Sequence, residues 1–544
     1  MDGKKTGSRS GSSREIIVQS SILAAAQLIA RIIGLIYRIP LQRIAGDVAM
    51  GYYSYAFDIY SILLLLSTNG VPVAVVKLIS GSRARHDAVN EKRVLVTTLI
   101  WTLIVGALVG GITVIFAEKI AILFFGSELV EVAPSLRVLG ATIFLCCVMS
   151  TFRGYFQGLG TMIPTAVSEV VEQILNALFS VGAAWILVAQ GPAYAAMGGT
   201  VGTCVGALAS LIFLLITFIL YRPSLEKRVK ADTEHKPQEY GKVAKTFALI
   251  LVPVVLSNVF YQINALIDSS MYSHILTSLG YSPDLISSIY GVYVSKYKTI
   301  ANVPLPVAYA LAVAIIPGLT QAVMGGRMDE AREKTGTIIK FCMIVAIPST
   351  VGIAVLGGPI VQLLFNDSSD LARNLMVTGS PYVLFYSLSA VLIGVLQGID
   401  KMKEPIINAV ISLAIHVVFV FVLLRFADMN IYAVSYTNIF YGFTMCVLNL
   451  LSLRKYMGYR QELLKTFILP GIASGIMGFL TFIVYRVLLL ATHHNSIACI
   501  IGILAAIVIY AAALILIRGI TEEEIAQFPK GQKIVSLLKK VRLL

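Results

Sequence analysis

Long apolar runs, separated by short stretches rich in charge, glycine or proline, dominate the chain. A helix that crosses the hydrocarbon core of a bilayer uses about 20 residues, and most of these runs reach that length. The pattern therefore predicts an all-α polytopic membrane protein with about 14 transmembrane helices. The predicted spans lie near residues 17–43, 52–80, 94–117, 133–157, 163–189, 197–221, 244–272, 295–323, 335–362, 376–397, 405–425, 431–453, 466–490 and 497–518.

The composition agrees with this pattern. Of the 544 residues, 57% are hydrophobic and only 13% are charged, whereas soluble domains carry about a quarter charged residues. The net charge of +14 does not indicate nucleic-acid binding, because most basic residues flank the apolar runs. All six cysteines lie inside apolar runs without metal-ligand spacing, so we expect buried thiols and no metal site. They are Cys146, Cys147, Cys204, Cys342, Cys446 and Cys499.

The Lys and Arg residues are unevenly distributed between the predicted loops. If the termini and the even-numbered loops share one side, that side holds 31 of the 43 basic residues, with Arg153 counted in the loop after the fourth span. Loops rich in Lys and Arg stay in the cytoplasm. The sequence thus predicts cytoplasmic termini, which the even number of spans also requires.

An internal repeat recurs at an offset of 240 residues. Gly154, Gln157 and Gly158 are matched by Gly394, Gln397 and Gly398, and Leu123-Phe-Phe is matched by Leu363-Leu-Phe. Each repeat holds six predicted spans, an even number, so both copies enter the membrane from the same side. The repeat predicts two parallel six-helix bundles around a central cavity, an arrangement typical of transporters, plus two additional C-terminal helices.

Four segments follow from this division. They are an N-terminal six-helix lobe at 1–221, a basic cytoplasmic linker at 222–245, a C-terminal six-helix lobe at 246–456, and two further helices with a cytoplasmic tail at 457–544.

The first span carries a polar stripe. Gln27, Arg31, Arg38 and Gln42 are spaced by 4, 7 and 4 residues, which places them on one helical face. Two arginines on that face would bind an anion such as pyrophosphate, because the guanidinium group pairs with oxygens bidentately. In the alternative, Arg38 extends to the membrane interface and Arg31 pairs with a carboxylate.

Two further spans carry acidic stripes. The fifth contains Glu169, Glu172 and Asn176, and the seventh contains Tyr261, Asn264 and Asp268. The three carboxylates would either couple transport to an ion or neutralise the arginines, for example through a salt bridge to Arg31 or Arg38. The residues do not decide between these roles.

Other polar positions are isolated. The eighth span begins with Lys296, Lys298 and Asn302 before several prolines, and Lys298 is either an anion ligand or a marker of the interface. Asp58 is a lone polar group expected to line the cavity. His416 is expected to make a helix contact, and a glycine seam in the sixth span is expected to allow close packing. The seam consists of Gly198, Gly202 and Gly206.

Motifs of enzymes are missing from the chain. It has no Walker lysine loop, no HExxH and no nucleophile elbow. We therefore expect a protein that is not an enzyme, that binds no cofactor, and whose transport runs on a gradient, with H⁺ or Na⁺ as the possible coupling ion.

Several of these motifs also carry a family resemblance. The Ala30-Arg31-Ile-Ile-Gly34 segment, the Asn69-Gly-Val-Pro72 segment, Tyr290-Gly291 and the repeated Gln-Gly-x(3)-Met signature resemble the polysaccharide-flippase branch of the MOP superfamily. Within it, the chain looks most like the Gram-positive MurJ and SpoVB group of lipid II flippases.

The resemblance implies a multi-pass protein of the bacterial plasma membrane that exports lipid II, an undecaprenyl-pyrophosphate-linked peptidoglycan precursor, by alternating access. It implies that Arg31 and Arg38 engage the pyrophosphate and that Lys298 replaces a basic residue of the family's eighth span. It further implies a role beside the cell-wall synthesis machinery. Alternatives are a flippase for another polyprenyl-linked glycan, such as a teichoic acid, capsule or spore cortex precursor, and a MATE-type multidrug or cation antiporter.

Overall fold

The computed structural model describes residues 7–68 and 70–522, together with residues 524, 532, 536 and 539. Within these ranges, the side chains of 7–18, 20, 253–254 and 256–262 are outside the description. No residue in the described part lies in a β-strand, so the expected all-α fold is confirmed. The chain forms two compact units, Met1–Gly291 and Val292–Leu544.

The first unit contains ten of the described α-helices. They are α1 (Gly7–Ile36), α2 (Arg38–Ser67), α3 (Val71–Ala84), α4 (Ala88–Ile115), α5 (Ala117–Phe125), α6 (Ala133–Gly158), α7 (Ile163–Leu187), α8 (Pro192–Ala231), α9 (Tyr240–Ser278) and α10 (Pro283–Gly291). Short 3₁₀ segments precede α6 and follow α7.

The second unit contains the remaining described α-helices. They are α11 (Thr299–Ala301), α12 (Leu305–Met324), α13 (Met328–Phe365), α14 (Asp370–Gly379), α15 (Pro381–Gly398), α16 (Lys403–Phe426), α17 (Ile431–Met457), α18 (Leu469–Thr492) and α19 (Asn495–Leu516). π-helical segments at Val292–Lys298 and Leu464–Ile468 precede α11 and α18.

Twelve helical segments in the described part are long and apolar enough to cross a membrane, so a multi-pass membrane protein is confirmed. Two of the fourteen expected spans are not among them. The first lies on α1, whose described apolar portion is the shorter stretch Ser21–Ile36. The seventh lies on α9, where several side chains are outside the description.

The helical path that carries the first polar stripe continues past Tyr37. The amide of Tyr37 donates to the Ile33 carbonyl and the amide of Leu41 donates to the Tyr37 carbonyl, both at 3.1 Å. The path breaks at Gly46, whose φ of 80° lies in the left-handed region that glycine adopts without strain. Gln27 through Gln42 therefore belong to one helical path, close to the predicted span 17–43.

The 240-residue repeat reappears in the packing of each unit. In the first unit, Gly154 of α6 lies against Pro72 of α3, while in the second unit Gly394 of α15 lies against Ala312 of α12. Pro72 and Ala312 are themselves 240 residues apart. The next glycine of each motif repeats the relationship, because Gly158 packs against Ile79 and Gly398 against Leu319. The repeat is thus a repeat of tertiary contacts as well as of sequence.

The predicted glycine seam is confirmed on α8. A Cβ atom at Gly202 would clash with the backbone of Ser180 on α7, and one at Gly206 would lie 2.5 Å from the Glu172 carbonyl oxygen. These two helices therefore approach as closely as their backbones allow. The close approach fixes the position of the polar side chains on α7.

The two C-terminal helices pack against α13. The Tyr510 hydroxyl donates to the Ile344 carbonyl at 2.8 Å, and the Asn495 amide donates to the Pro359 carbonyl at 3.0 Å. Beyond α19, Glu524 accepts from the buried Lys340 ammonium at 2.6 and 2.7 Å. Burial opposes ionisation of Glu524, but the bonds to Lys340 and to the Thr521 amide outweigh it, so its pKa is lowered.

Candidate functional site

The first polar stripe meets the acidic stripe of α7 through Gln27. The Gln27 amide donates a hydrogen bond to the Glu169 carboxylate, and the Met162 amide ahead of α7 donates to Gln19 at 3.0 Å. Arg31, one turn beyond Gln27, has an exposed side chain. It forms no salt bridge with any acidic residue within the described part of the chain. Glu169 therefore contacts the first polar stripe through the side-chain amide of Gln27, and the side chain of Arg31 stays exposed.

Arg38 is in a different environment. Its guanidinium group is half-buried and interacts with Tyr37 and Tyr53, whose hydroxyls are 3.4 Å apart. Gln42 is buried and donates from Nε2 to the Asp47 carboxylate at 2.5 Å. Arg38 thus lies among phenol groups.

Arg153 connects three helices of the first unit. From the last turns of α6 its guanidinium donates to the Glu172 carboxylate at 2.7 Å, to the Ser168 hydroxyl at 3.0 Å and to the Ser210 hydroxyl of α8 at 3.1 Å. The side chains of Arg153 and Glu172 are only 16% and 19% exposed. Among the described residues, Glu172 therefore pairs with Arg153 and not with Arg31 or Arg38, the partners that the sequence suggested.

Asn176 continues the polar face of α7. Its side-chain oxygen accepts from the Ser180 hydroxyl at 2.8 Å and from the Thr203 hydroxyl of α8 at 3.4 Å. The same Ser180 hydroxyl also lies 2.7 Å from the Gly199 carbonyl. Asn176 is buried in the α7–α8 contact.

Asp58 accepts a hydrogen bond from a residue 232 positions away. The Tyr290 hydroxyl donates to Oδ2 of Asp58 at 2.8 Å, and the Tyr290 ring stacks on Tyr55 with ring centroids 4.4 Å apart. The Tyr272 ring of α9 also stacks with the Tyr290 ring, with centroids 5.7 Å apart. A buried aromatic column therefore joins α2, α9 and α10.

The acidic residue of α9 lies beside this column. Asp268 is almost fully buried and is electrostatically coupled to Tyr290. Asn264, one turn earlier, is also buried. The side chain of Tyr261 is outside the part of the structure that is described. A buried carboxylate inside a membrane protein is a candidate site for ion or proton coupling.

The basic residues predicted in the eighth span lie on a π-helical segment. Lys296 is 4% exposed and its ammonium donates to the Asp367 carboxylate at 2.7 Å. Burial opposes ionisation of Asp367, but the Lys296 ammonium and the Ser369 amide outweigh it, so its pKa is lowered. Lys298 is half-buried, with its ammonium 5.0 Å from the centroid of the Tyr293 ring. The sequence predicts both lysines as basic positions of the eighth span, but it does not reveal that Lys296 pairs with Asp367.

Three smaller predictions concern Asn302, His416 and the cysteines. Asn302 is exposed and accepts from the Tyr382 hydroxyl at 3.2 Å. His416 is fully buried with Nδ1 3.0 Å from the Thr437 carbonyl, so the expected helix contact is confirmed. All six cysteines are free, and five of them are buried as expected.

A loop between α8 and α9 fastens to the start of α4. Oδ2 of Asp232 accepts from the Ala88 amide at 2.8 Å and from the Val89 amide at 3.4 Å, while Oδ1 lies 2.8 Å from Nδ1 of His235. Asp87 lies within 4.8 Å of both residues. Because these atoms are already used in capping hydrogen bonds, the group is a structural clamp.

Comparison with known proteins gives two family matches. The model of the polysaccharide biosynthesis protein family matches residues 17–323, and the MatE model matches residues 295–422. Among curated proteins, the chain is 26% identical over 497 residues to the lipid II flippase MurJ of Bacillus subtilis strain 168, covering 88% of this chain and 89% of the relative. It is 24% identical over 412 residues to stage V sporulation protein B of the same strain, covering 74% and 76%.

Solved structures share the fold. The lipid II flippase MurJ in an inward closed conformation superposes with a TM-score of 0.67 at 16% identity, over 90% of this chain and 97% of that one. An inward-facing multidrug resistance MATE family transporter of the MOP superfamily gives a TM-score of 0.64 at 17% identity, over 81% and 98%.

The repeated helix packing and the paired charges inside the helices define a polytopic membrane protein with the fold shared by MurJ and MATE transporters. The chain belongs to the polysaccharide biosynthesis protein family, whose model covers more than half of its length. The resemblance expected from the sequence is thereby confirmed. Relatives with these names are flippases and transporters, which also confirms that the protein is not an enzyme.

Proposed function

We propose that this protein is a flippase that moves lipid II from the inner to the outer leaflet of the bacterial plasma membrane by alternating access. A curated relative that covers 88% of the chain bears the name of a lipid II flippase. The membrane topology has both termini in the cytoplasm, and the protein works beside the cell-wall synthesis machinery. The substrate class is a polyprenyl-pyrophosphate-linked glycan.

The exposed guanidinium of Arg31 is the observation that supports this proposal most strongly. The carboxylates that would otherwise neutralise it have other partners, since Gln27 binds Glu169 and Arg153 binds Glu172. Among the residues that the structure describes, none forms a salt bridge with Arg31, so its charge is available to an anionic ligand. A pyrophosphate offers oxygens in the geometry that guanidinium groups bind bidentately.

Arg38 of the first unit and Lys298 of the second are the other proposed pyrophosphate ligands. Both are half-buried and lie next to tyrosines, Arg38 beside Tyr37 and Tyr53 and Lys298 over Tyr293. Neither cation is fixed in a salt bridge to a carboxylate within the described part of the chain. Of the other polar positions proposed to line the path of the head group, Gln27 and Asn302 are exposed, whereas Gln42, Asn176 and Asn264 are buried in helix contacts.

The energy for transport comes from the membrane potential or an ion gradient. Outward movement of an anion from the negative inner side of the membrane gains about 2.3 kcal/mol per charge per 100 mV. Asp268, buried beside Tyr290, is the proposed site for a returning H⁺ or Na⁺. Glu172 and Glu169 balance charge in this scheme, because both already have partners.

Flipping of lipid II in proteoliposomes tests the proposal. We expect Arg31→Ala to reduce the rate at least about tenfold, since a hydrogen bond between charged groups contributes about 1.5–3 kcal/mol. Arg31→Lys should retain part of the activity. The control is Arg137→Ala, which removes an exposed arginine paired with Glu118. Unchanged flipping by Arg31→Ala would refute the role given to this residue.

Two other substrates separate the alternatives. A teichoic acid precursor carries the same pyrophosphate, so its transport at a rate equal to that of lipid II would indicate a broader glycan flippase. Transport of a cationic drug instead of either lipid would indicate an antiporter and would refute the flippase proposal. The relative named stage V sporulation protein B makes a spore-cortex precursor a further substrate worth including.

A further inference from the structure

A cavity of about 510 Å³ opens at the C-terminal end of α17, and none of the proposed pyrophosphate ligands lines it. One wall belongs to the last turns of α17 and the other to the chain that follows it. The lining residues are Val447, Leu450, Leu451, Arg454, Tyr459, Arg460 and Gln461.

The helical wall has an apolar end and a cationic end. Val447, Leu450, Leu451 and Arg454 follow the spacing of one helical face. Val447 is 38% exposed and Leu451 is 54% exposed. Because α17 is long and apolar enough to span a membrane, exposed leucine and valine side chains on this face are suited to contact an acyl chain.

The second wall is held in place by hydrogen bonds. Gly458 adopts a left-handed φ of 63° that turns the chain back over the helix end. The Arg332 guanidinium donates to the Met457 carbonyl at 2.7 Å, and the hydroxyl of the buried Tyr459 donates to Gln461 at 3.1 Å. These contacts hold the chain on both sides of Arg460.

The two arginines of the cavity have no acidic partner among the residues that the structure describes. Both side chains are exposed, and neither has a salt bridge or a further side-chain interaction there. The nearest carboxylate in sequence, Glu462, instead accepts from the amides of Lys465 and Thr466 at 2.9 and 3.0 Å. Two uncompensated guanidinium groups thus line a preformed cavity next to an apolar helix face.

We propose that this cavity binds an anionic membrane phospholipid such as phosphatidylglycerol. Arg454 and Arg460 bind the phosphodiester, and one acyl chain lies along Val447 and Leu451. Guanidinium groups bind phosphate oxygens bidentately, and basic pockets at the ends of transmembrane helices are suited to acidic lipid head groups. The site lies on the side that the Lys and Arg distribution assigns to the cytoplasm, and it does not depend on the proposed flippase activity.

Native mass spectrometry of the full-length protein with added phosphatidylglycerol or phosphatidylcholine tests this site. We expect the parent protein to retain phosphatidylglycerol in preference to phosphatidylcholine. The Arg454→Gln, Arg460→Gln double variant should lose this preference by about tenfold or more, because basic side chains at the membrane surface attract acidic lipids. The matched control is Lys455→Gln, Lys465→Gln. It removes two charges from the same stretch of chain, but neither lysine lines the cavity.

Three results would overturn the proposal. The first is an arginine double variant that binds phosphatidylglycerol as well as the parent protein. The second is an equal loss in the lysine control, which would indicate nonspecific charge attraction. The third is full displacement of the lipid by millimolar inorganic phosphate, which would indicate a free-phosphate site. A Leu451→Asn variant, which keeps both arginines, should weaken lipid retention if the acyl chain lies on α17.

Discussion

Gly51 of α2 and Gly291 of α10 occupy equivalent positions of the 240-residue repeat, and each lies directly against the backbone of the other's helix. A Cβ atom at Gly51 would clash with the Ser287 carbonyl, and a Cβ atom at Gly291 would clash with the Asp47 carbonyl. Ser287 and Asp47 are also 240 residues apart. The two helices therefore cross at a pair of equivalent glycines with near two-fold symmetry.

Replacement of either glycine should be poorly tolerated. We expect Gly51→Ala and Gly291→Ala each to destabilise the protein by about 1–3 kcal/mol, the usual result of overpacking. Thermal unfolding in detergent measures the effect. Gly182→Ala is the control, because nothing lies within 4 Å of a Cβ atom at that helical glycine. A melting temperature of Gly51→Ala equal to that of the control would contradict the close crossing.

The Arg153–Glu172 pair gives a second prediction. Glu172→Ala should leave a poorly solvated guanidinium without its carboxylate and lower stability by about 3–5 kcal/mol. An Arg153→Met, Glu172→Leu double variant should recover most of this loss, because the unpaired charge is then removed. A double-mutant cycle of Arg153→Met, Glu172→Leu and their combination, measured by thermal unfolding, checks the coupling. Additive effects of the two substitutions would show that the pair is not coupled.

The clamp between the α8–α9 loop and α4 should depend on pH. The hydrogen bond to Asp232 raises the pKa of His235, and the contacts with His235 and the α4 amides lower the pKa of Asp232 to about 2. Because the pKa of His235 is raised in the folded protein, its protonated form stabilises the clamp fully below about pH 6.5, the ordinary pKa of histidine. This contribution is lost as the pH rises through the raised pKa.

Hydrogen exchange at the amides of Ala88 and Val89 measures the state of the clamp. Their protection should fall between about pH 6.5 and the raised pKa of the histidine, beyond the intrinsic change in exchange rate. A His235→Gln variant should show no such step. An identical step in that variant would assign the pH dependence to another group.

Chemical labelling tests the environment of Arg31. An Arg31→Cys variant should react with a charged, membrane-impermeant thiol reagent if this position faces water, whereas Ile32→Cys on a neighbouring helical face should react more slowly. Five of the six native cysteines are buried, so Cys204, the half-buried one, defines the background. A reaction at position 31 no faster than at position 32 would place Arg31 in lipid and contradict a role in anion binding.

The sequence predicted the features of the fold that arise from repeated spacings of residues. Apolar length located most spans, the offset of 240 residues anticipated equivalent contacts at Gly154 and Gly394, and small-residue spacing anticipated the α7–α8 packing. The count of basic loop residues includes Arg153, although the predicted span 133–157 contains it, and the structure places it in α6. The partners of Asp58 and Lys296 lie 232 and 71 residues away. Such pairs depend on how separate helices pack, which hydropathy along one segment does not encode.

The repeat has diverged in charge at one instructive pair of positions. Asp58 and Lys298 are 240 residues apart, yet one is an acid that accepts from Tyr290 and the other is a base resting on an aromatic ring. An artificial chain made by joining two copies of the leading half would therefore carry an acid at both places and a base at neither. Such a chain would repeat the helix contacts of the leading half, but it would lose the difference in charge between the two copies.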